Sequence, residues 1–177
     1  MQHIIDSFHK ENMDIDKGLP HGGMTPTNDL PNASNSFDLA RFTRAQEEIY
    51  TQVLEELQRG HKKSHWMWFI FPQIDGLGRS SIAKHYAIKS LEEAAAYLNH
   101  PVLGQRLLQC SETLLNIHGK SASEIFGYPD EWKLRSCMTL FAAIAETESV
   151  FVQVLTRYFK GQPDQQTMEI LNREPQS

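Results

Sequence analysis

From Asp38 to the end of the chain, apolar residues recur at helical spacing between recognisable helix starts and stops. The first such stretch opens at Asp38, a residue type that caps helix N-termini, and closes at Gly60, a residue type that ends helices. Ser90 and Ser121 each stand three residues before a glutamate, which is the signature of a capping box. No two alternating apolar runs are joined by an Asn-Gly type of turn, so no hairpin is expected. The pattern predicts an all-α fold of about seven helices.

Two shorter segments carry weaker signals. Ser64 is predicted to cap a short aromatic helix, and Asp164 to cap the last helix of the chain. Residues 66–74 fit either a helix or a strand, because short apolar runs occur in both.

Residues 1–36 differ in composition from the rest, being rich in Pro, Gly, Asn and Ser and poor in apolar residues. We therefore predict a flexible, disordered tail over residues 1–36, a single helical domain over 37–172 and a short tail over 173–177. The chain has no apolar run of about 18 residues and no secretory signal pattern. Its only two cysteines lack CxxC partners. We expect a cytoplasmic protein with no membrane partner.

Charge is distributed unevenly along the chain, whose net charge is −5. Residues 59–89 contain six basic residues and one acid, so this segment carries +5 and the rest of the chain −10. A local basic face on an acidic protein suits a small anionic ligand, and it argues against nucleic acid as a partner. The alternative is that several of these charges are ordinary solvated helix charges.

The segment Lys62–Gln73 concentrates aromatic and polar side chains, including two of the three tryptophans. Each aromatic ring has roughly 150–250 Å² to bury, and polar groups buried with the rings need partners. We therefore expect a partly buried polar pocket built from residues 64–81 and the helix over residues 130–136. Trp66 and Trp68 either stack on a ligand's ring or belong to the core.

Three pairs of residues are candidates for chemistry. Ser64 and His65 follow two lysines, so they either bind an anion and move a proton or serve as a helix cap and a core histidine. Arg79 and Ser80 lie in a glycine-rich segment that either grips phosphate or simply joins two helices; it matches neither a P-loop nor a Rossmann motif. Asp130 and Lys133 form either a local ion pair or a catalytic acid with a positioning group. No metal-ligand spacing is found, and we expect neither a metal nor a cofactor.

The segments SHWMWFIFPQIDGLGRSS and EIFGYPDEWKLRSC, with RYFKGQPDQQTMEIL near the end, resemble the bacterial family catalogued as domain of unknown function 1810. The resemblance covers about Asp38 to Leu171. It implies a small, cytoplasmic, mainly helical domain and no established activity.

A second resemblance is to domains of NAD and ADP-ribose metabolism that cleave N-glycosidic bonds, through the order of an aromatic-histidine helix, the segment YAIKSLEEA and a later Phe-Gly and Asp. It implies a catalytic carboxylate with aromatic stacking. Ser64 stands where a glutamate is expected, so Asp130 or Glu92 would supply that carboxylate.

From these patterns we predict a domain that binds a small anionic ligand of the nucleotide or ADP-ribose type, and that either only binds it or also hydrolyses its N-glycosidic bond. The alternative is a non-catalytic protein-interaction module that uses residues 1–36 as its partner-binding segment. The predicted site consists of Asp130 and His65 as catalytic residues, and of Lys63, Ser64, Trp68, Gln73, Arg79, Ser80, Tyr86 and Lys133 as ligand contacts.

Each kind of residue has an expected role in this site. Lys63, Arg79 and Ser80 hold the phosphate groups. Trp68 stacks on the base together with an aromatic partner, Tyr86. Asp130 transfers the proton.

Overall fold

A computed structural model of the chain describes residues 37–173. Within this range the chain forms ten α-helices and no β-strand, which confirms the predicted all-α fold. The predicted tail over residues 1–36 and the last residues, 174–177, lie outside the described residues. The helices are α1 (Ala40–Glu47), α2 (Tyr50–Gln58), α3 (Met67–Ile70), α4 (Ser81–His85), α5 (Leu91–Asn99), α6 (Leu103–Leu115), α7 (Ala122–Phe126), α8 (Asp130–Ala142), α9 (Val150–Phe159) and α10 (Gln165–Arg173).

The helix starts predicted from local capping signals are confirmed in part. The predicted cap at Asp38 is wrong, because α1 begins at Ala40 and its N-cap residue, Leu39, makes no side-chain capping hydrogen bond. Ser121 and Glu124 form a complete capping box at the start of α7. The Asp164 carboxylate accepts a hydrogen bond from the Thr167 backbone N–H at the start of α10. Ser90 caps α5 by accepting from the backbone N–H of Glu93, but the Glu93 side chain bonds elsewhere. Ser90 therefore caps the helix, but the return hydrogen bond from its own backbone N–H to the Glu93 side chain, which would complete a capping box, is not formed.

The number of helices exceeds the prediction, partly because one predicted helix is split. The stretch from Asp38 to Gly60 contains both α1 and α2, with a break at Glu48 and Ile49. Helix α1 packs on α3, whereas α2 packs on α6. The chain therefore changes direction between the two helices, and the spacing of apolar residues does not predict this change. Three further helices, α3, α4 and α7, are only four or five residues long.

The predicted capping role of Ser64 is wrong. Helix α3 begins after Trp66, which has no side-chain cap, and the Ser64 hydroxyl donates instead to the Glu56 carboxylate. The segment after α3 makes one isolated parallel bridge between Ile74 and Ile88. The ambiguous stretch over residues 66–74 is thus mainly helix and loop, with a single bridge residue.

Helix α8 lies at the centre of the packing, in contact with α3, α5, α7, α9 and α10. Its Phe141 ring packs at 5.6 Å, between centroids, from both Tyr97 and Phe151. Apolar burial of this kind is the main favourable contribution to folding. Because α8 is held in the core, the position of its charged first turn is determined by that packing.

None of the helices in residues 37–173 is both long and apolar enough to cross a lipid bilayer.

Candidate functional site

The loop between α2 and α3 is organised by Glu56, a residue of α2 that is only 4% exposed. Its carboxylate accepts hydrogen bonds from the backbone N–H groups of Lys63 (2.8 Å) and Ser64 (3.0 Å). It also accepts from the Trp66 indole N–H at 2.8 Å and from the Ser64 hydroxyl. The loop that carries the predicted residues Lys63, Ser64 and His65 is therefore tied to a single buried carboxylate.

These hydrogen bonds set the charge state of Glu56. Burial by itself raises the pKa of a carboxyl group, but the donors of Ser64, Lys63 and Trp66 outweigh it and lower the pKa of Glu56 from 4.5 to about 2. Sequence reasoning missed this residue. The signal was an acid on the same helix face as the buried Val53, where a solvated glutamate is not expected.

The second part of the site is a cluster of three charged residues, Lys62, Asp130 and Lys133. The two Asp130 carboxylate oxygens each contact one ammonium group, Lys62 Nζ at 2.7 Å and Lys133 Nζ at 2.8 Å. The side chains are largely shielded, with 7%, 17% and 20% exposure for Lys62, Asp130 and Lys133. Burial opposes ionisation of Asp130, yet the two lysines lower its pKa below the usual value.

Each lysine of this cluster also packs on a tryptophan. Lys62 Nζ lies 5.0 Å from the ring centroid of Trp66, and Lys133 Nζ lies 4.4 Å from that of Trp68. Such cation–π contacts contribute about 0.5–2 kcal/mol each, depending on exposure. Lys62 Nζ further donates to the Ser64 carbonyl at 2.6 Å. The aromatic segment and the first turn of α8 thus meet through these two ammonium groups.

Part of the predicted site is brought together here. Ser64, Trp68, Asp130 and Lys133 belong to one connected set of contacts, to which the structure adds Lys62. Lys63 and His65 are exposed on the same loop.

The other predicted ligand contacts lie elsewhere in the fold. Gln73 offers its backbone carbonyl to Ile88, Ser80 caps α4 through its hydroxyl, and Tyr86 packs on Phe69 with 5.3 Å between ring centroids. Arg79 is exposed. No hydrogen bond, ion pair or ring contact within residues 37–173 joins Gln73, Arg79, Ser80 or Tyr86 directly to the Asp130 cluster.

Two of the surface hollows formed by residues 37–173 are lined by residues outside the predicted site. One, of about 700 Å³, lies between α9 and the end of α6. The other, of about 160 Å³, lies beside the first turns of α8 and is lined in part by Trp132 and Arg135. In the described part of the chain, no group of three or more His, Cys, Asp or Glu side chains is placed to hold a metal ion.

The two lowered pKa values predict acid sensitivity. A carboxyl group whose folded pKa lies below its unfolded value stabilises the fold above the unfolded pKa, and this stability is lost as the pH falls toward the folded pKa. For Glu56 the interval runs from 4.5 down to about 2. We expect the free energy of unfolding, measured with urea at a series of pH values, to fall across that interval.

Replacing Asp130 with asparagine separates the contribution of Asp130 to this acid sensitivity from that of Glu56. Asp130→Asn leaves Lys62 and Lys133 without their carboxylate, so we expect a loss of about 1–3 kcal/mol at neutral pH. The variant should also lose less stability on acidification than the parent protein. Parallel pH profiles for variant and parent would contradict the assigned role of Asp130.

Comparison with known proteins places these residues in a family. The family described as "Protein of unknown function (DUF1810)" matches residues 36–171. The chain is similar to the crystal structure of the conserved hypothetical protein Rv1873 from Mycobacterium tuberculosis, with 49% sequence identity and a TM-score of 0.76. The similarity covers 77% of this chain and 97% of that one. Among curated proteins, none matches the chain. The chain belongs to the DUF1810 family, as the aromatic and Phe-Gly segments predicted.

Proposed function

We propose that the domain binds a small anionic ligand of the nucleotide or ADP-ribose type at the cluster of Lys62, Asp130 and Lys133. The observation that supports the proposal is an excess positive charge in this cluster, whose side chains are largely shielded from solvent. Two ammonium groups share one carboxylate, which leaves one net positive charge between two tryptophan rings. A phosphate group of the ligand compensates that charge.

The neighbouring loop supplies further groups for an anion. Lys63 and His65 are exposed beside Ser64, whose backbone is held by Glu56. A preorganised loop loses little conformational freedom when a ligand binds, so more of the contact energy appears as affinity. Lys63 is the natural phosphate contact because its side chain, unlike that of Lys62, is not engaged with Asp130.

The aromatic part of the ligand is assigned to Trp68. The Trp68 ring is half-buried, and the Lys133 ammonium group lies over it. Trp66, by contrast, is fully buried, and its indole N–H donates to Glu56. Trp68 is therefore the tryptophan of the segment that retains exposed ring surface for stacking on a base. Tyr86 and Arg79 make no direct contact with the cluster. They remain predicted contacts only for a ligand large enough to extend beyond it.

Hydrolysis of an N-glycosidic bond would use Asp130 in its ionised form. A carboxylate with a lowered pKa and an ammonium group on each oxygen is a poor proton donor at neutral pH. Both of its oxygens are already held by ammonium groups, so His65 is the group available to transfer a proton. The geometry favours binding over catalysis, so binding is the primary proposal.

Lys133→Gln tests the binding proposal. We expect ADP-ribose, NAD or a nucleoside diphosphate at millimolar concentration to raise the melting temperature of the parent protein by a few degrees. In calorimetric titration, Lys133→Gln should weaken binding by about tenfold or more, because one of the two ammonium groups is lost. Release of the free base is followed chromatographically in the same samples.

The matched control is Lys84→Gln, which makes the same change of charge on the exposed helix α4. This variant should bind like the parent protein. The proposal fails if none of these compounds stabilises the parent, or if both variants weaken binding equally.

A further inference from the structure

We propose that the hollow beside the first turns of α8 binds a free aromatic α-amino acid in its zwitterionic form. The hollow measures about 160 Å³ and is walled by the rings of Trp132, Tyr158 and Phe159, with Glu131 and Arg135 among its lining residues. None of Lys62, Asp130 and Lys133 lines this hollow, so the inference does not rest on the function proposed above.

Two residues of opposite charge that line the hollow, Glu131 and Arg135, do not form an ion pair with each other. Glu131 and Arg135 are four residues apart on α8, a spacing at which a glutamate and an arginine commonly pair. No ion pair joins them, and within residues 37–173 the Glu131 carboxylate makes no hydrogen bond. The hollow is therefore lined by a hydrogen-bond acceptor and by a cation that are not paired with each other.

Arg135 is held by one hydrogen bond and by contacts with two aromatic rings. Its Nε donates to the Gln162 carbonyl at 3.0 Å. The guanidinium carbon lies 5.9 Å from the Trp132 ring centroid and 5.8 Å from that of Phe159. These contacts fix the guanidinium plane while leaving its terminal NH₂ groups without a partner in the described part of the chain. A guanidinium fixed in this way is suited to bidentate binding of a carboxylate.

The volume of the hollow limits the size of the ligand that it can hold. A cavity of roughly 150 Å³ accommodates a benzene ring, so this hollow takes one aromatic side chain rather than a whole nucleotide. Trp132 is 49% exposed, a large apolar surface to leave open to water. A phenyl ring placed against Trp132 and Phe159 would cover that surface.

Together these features select one class of ligand. A simple anion meets the Glu131 carboxylate, and a simple cation meets the Arg135 guanidinium, so each is disfavoured by one of the two charges. An α-amino acid satisfies both, with its carboxylate on Arg135, its ammonium group on Glu131 and its ring in the hollow.

The test compares three probes by calorimetric titration of the full chain: phenylalanine, phenylalaninamide and N-acetylphenylalanine. The amide lacks the carboxylate and the acetylated compound lacks the ammonium group. We expect phenylalanine to bind in the millimolar range and each analogue to bind at least about tenfold more weakly.

Variants of Arg135 and Glu131 then show which charged group of the ligand each residue binds. Arg135→Gln should weaken phenylalanine binding and remove its advantage over phenylalaninamide. Glu131→Gln should remove its advantage over N-acetylphenylalanine. A merely structural role of either residue would weaken all three probes alike and would not change these ratios.

The control is Arg44→Gln, at an exposed position on α1, which should bind all three probes like the parent. Far-UV circular dichroism establishes that each variant is folded. The inference is overturned by three results: no saturable binding of phenylalanine, equal binding of the three probes to the parent, or unchanged probe ratios in both charge variants.

Discussion

Replacing Glu56 with glutamine is expected to lower the free energy of unfolding by about 3–5 kcal/mol, because a buried hydrogen-bond network is broken and each buried donor left unpaired costs about 1–3 kcal/mol. The carboxylate accepts from five donors, on Gln52, Lys63, Ser64 and Trp66. A glutamine amide turns one acceptor oxygen into a donor that faces these N–H and O–H groups. Urea denaturation at neutral pH measures the loss.

Glu55→Gln is the matched control for this variant. Glu55 is the preceding residue of α2, its side chain is 53% exposed, and its ion pair with Arg59 is solvated. Exposed pairs of this kind contribute about 0–1 kcal/mol. Losses of similar size in both variants would contradict the role of Glu56 as the organiser of the loop. Glu56→Gln should also weaken anion binding, because Lys63 and Ser64 lose their backbone anchor.

The second large effect is expected at the buried ion pair of Arg41 and Glu93. Their side chains are 9% and 2% exposed and lie 2.7 Å apart. Arg41 also donates to the carbonyls of His85 (2.9 Å) and Ala87 (3.0 Å), while Glu93 accepts from the Lys89 N–H at 2.7 Å. Glu93→Gln leaves the arginine charge uncompensated, so we expect a loss of about 3–5 kcal/mol in the free energy of unfolding.

Two further variants define the cause of this loss. Glu92→Gln removes an exposed carboxylate from the same first turn of α5 and should cost under about 1 kcal/mol. The double variant Arg41→Met with Glu93→Leu removes both buried charges, and it should be more stable than Glu93→Gln alone. A double variant that is less stable than Glu93→Gln would show that the carbonyl contacts of Arg41, rather than the unpaired charge, dominate.

Predictions that depend on neighbours along the chain were the successful ones. The capping box at Ser121 and the cap at Asp164 involve residues three positions apart, so the sequence displays both partners together. The pairing of Asp130 with Lys133 is of the same kind. The family was likewise visible in short contiguous segments.

The errors have a common physical origin in distant partners. Ser64 has the composition of a helix cap, but its hydroxyl is taken by Glu56, eight residues earlier. The break after Glu47 follows from the different packing partners of α1 and α2. Local preference is worth a fraction of a kcal/mol per residue, and tertiary contacts of larger energy override it.

The sequence alone determined the helical class, the helix starts at Ser121 and Asp164, the family and the presence of a charged pair at the beginning of α8. Only the tertiary structure decided that Lys62 completes this pair from the other side and that Glu56 is buried beneath the loop. It also showed that Glu131 and Arg135 face one hollow without pairing. Helical periodicity reports which side chains share a face, because it repeats every few residues. The convergence of charges from helices far apart in the chain depends on how the core packs, and no local pattern records that.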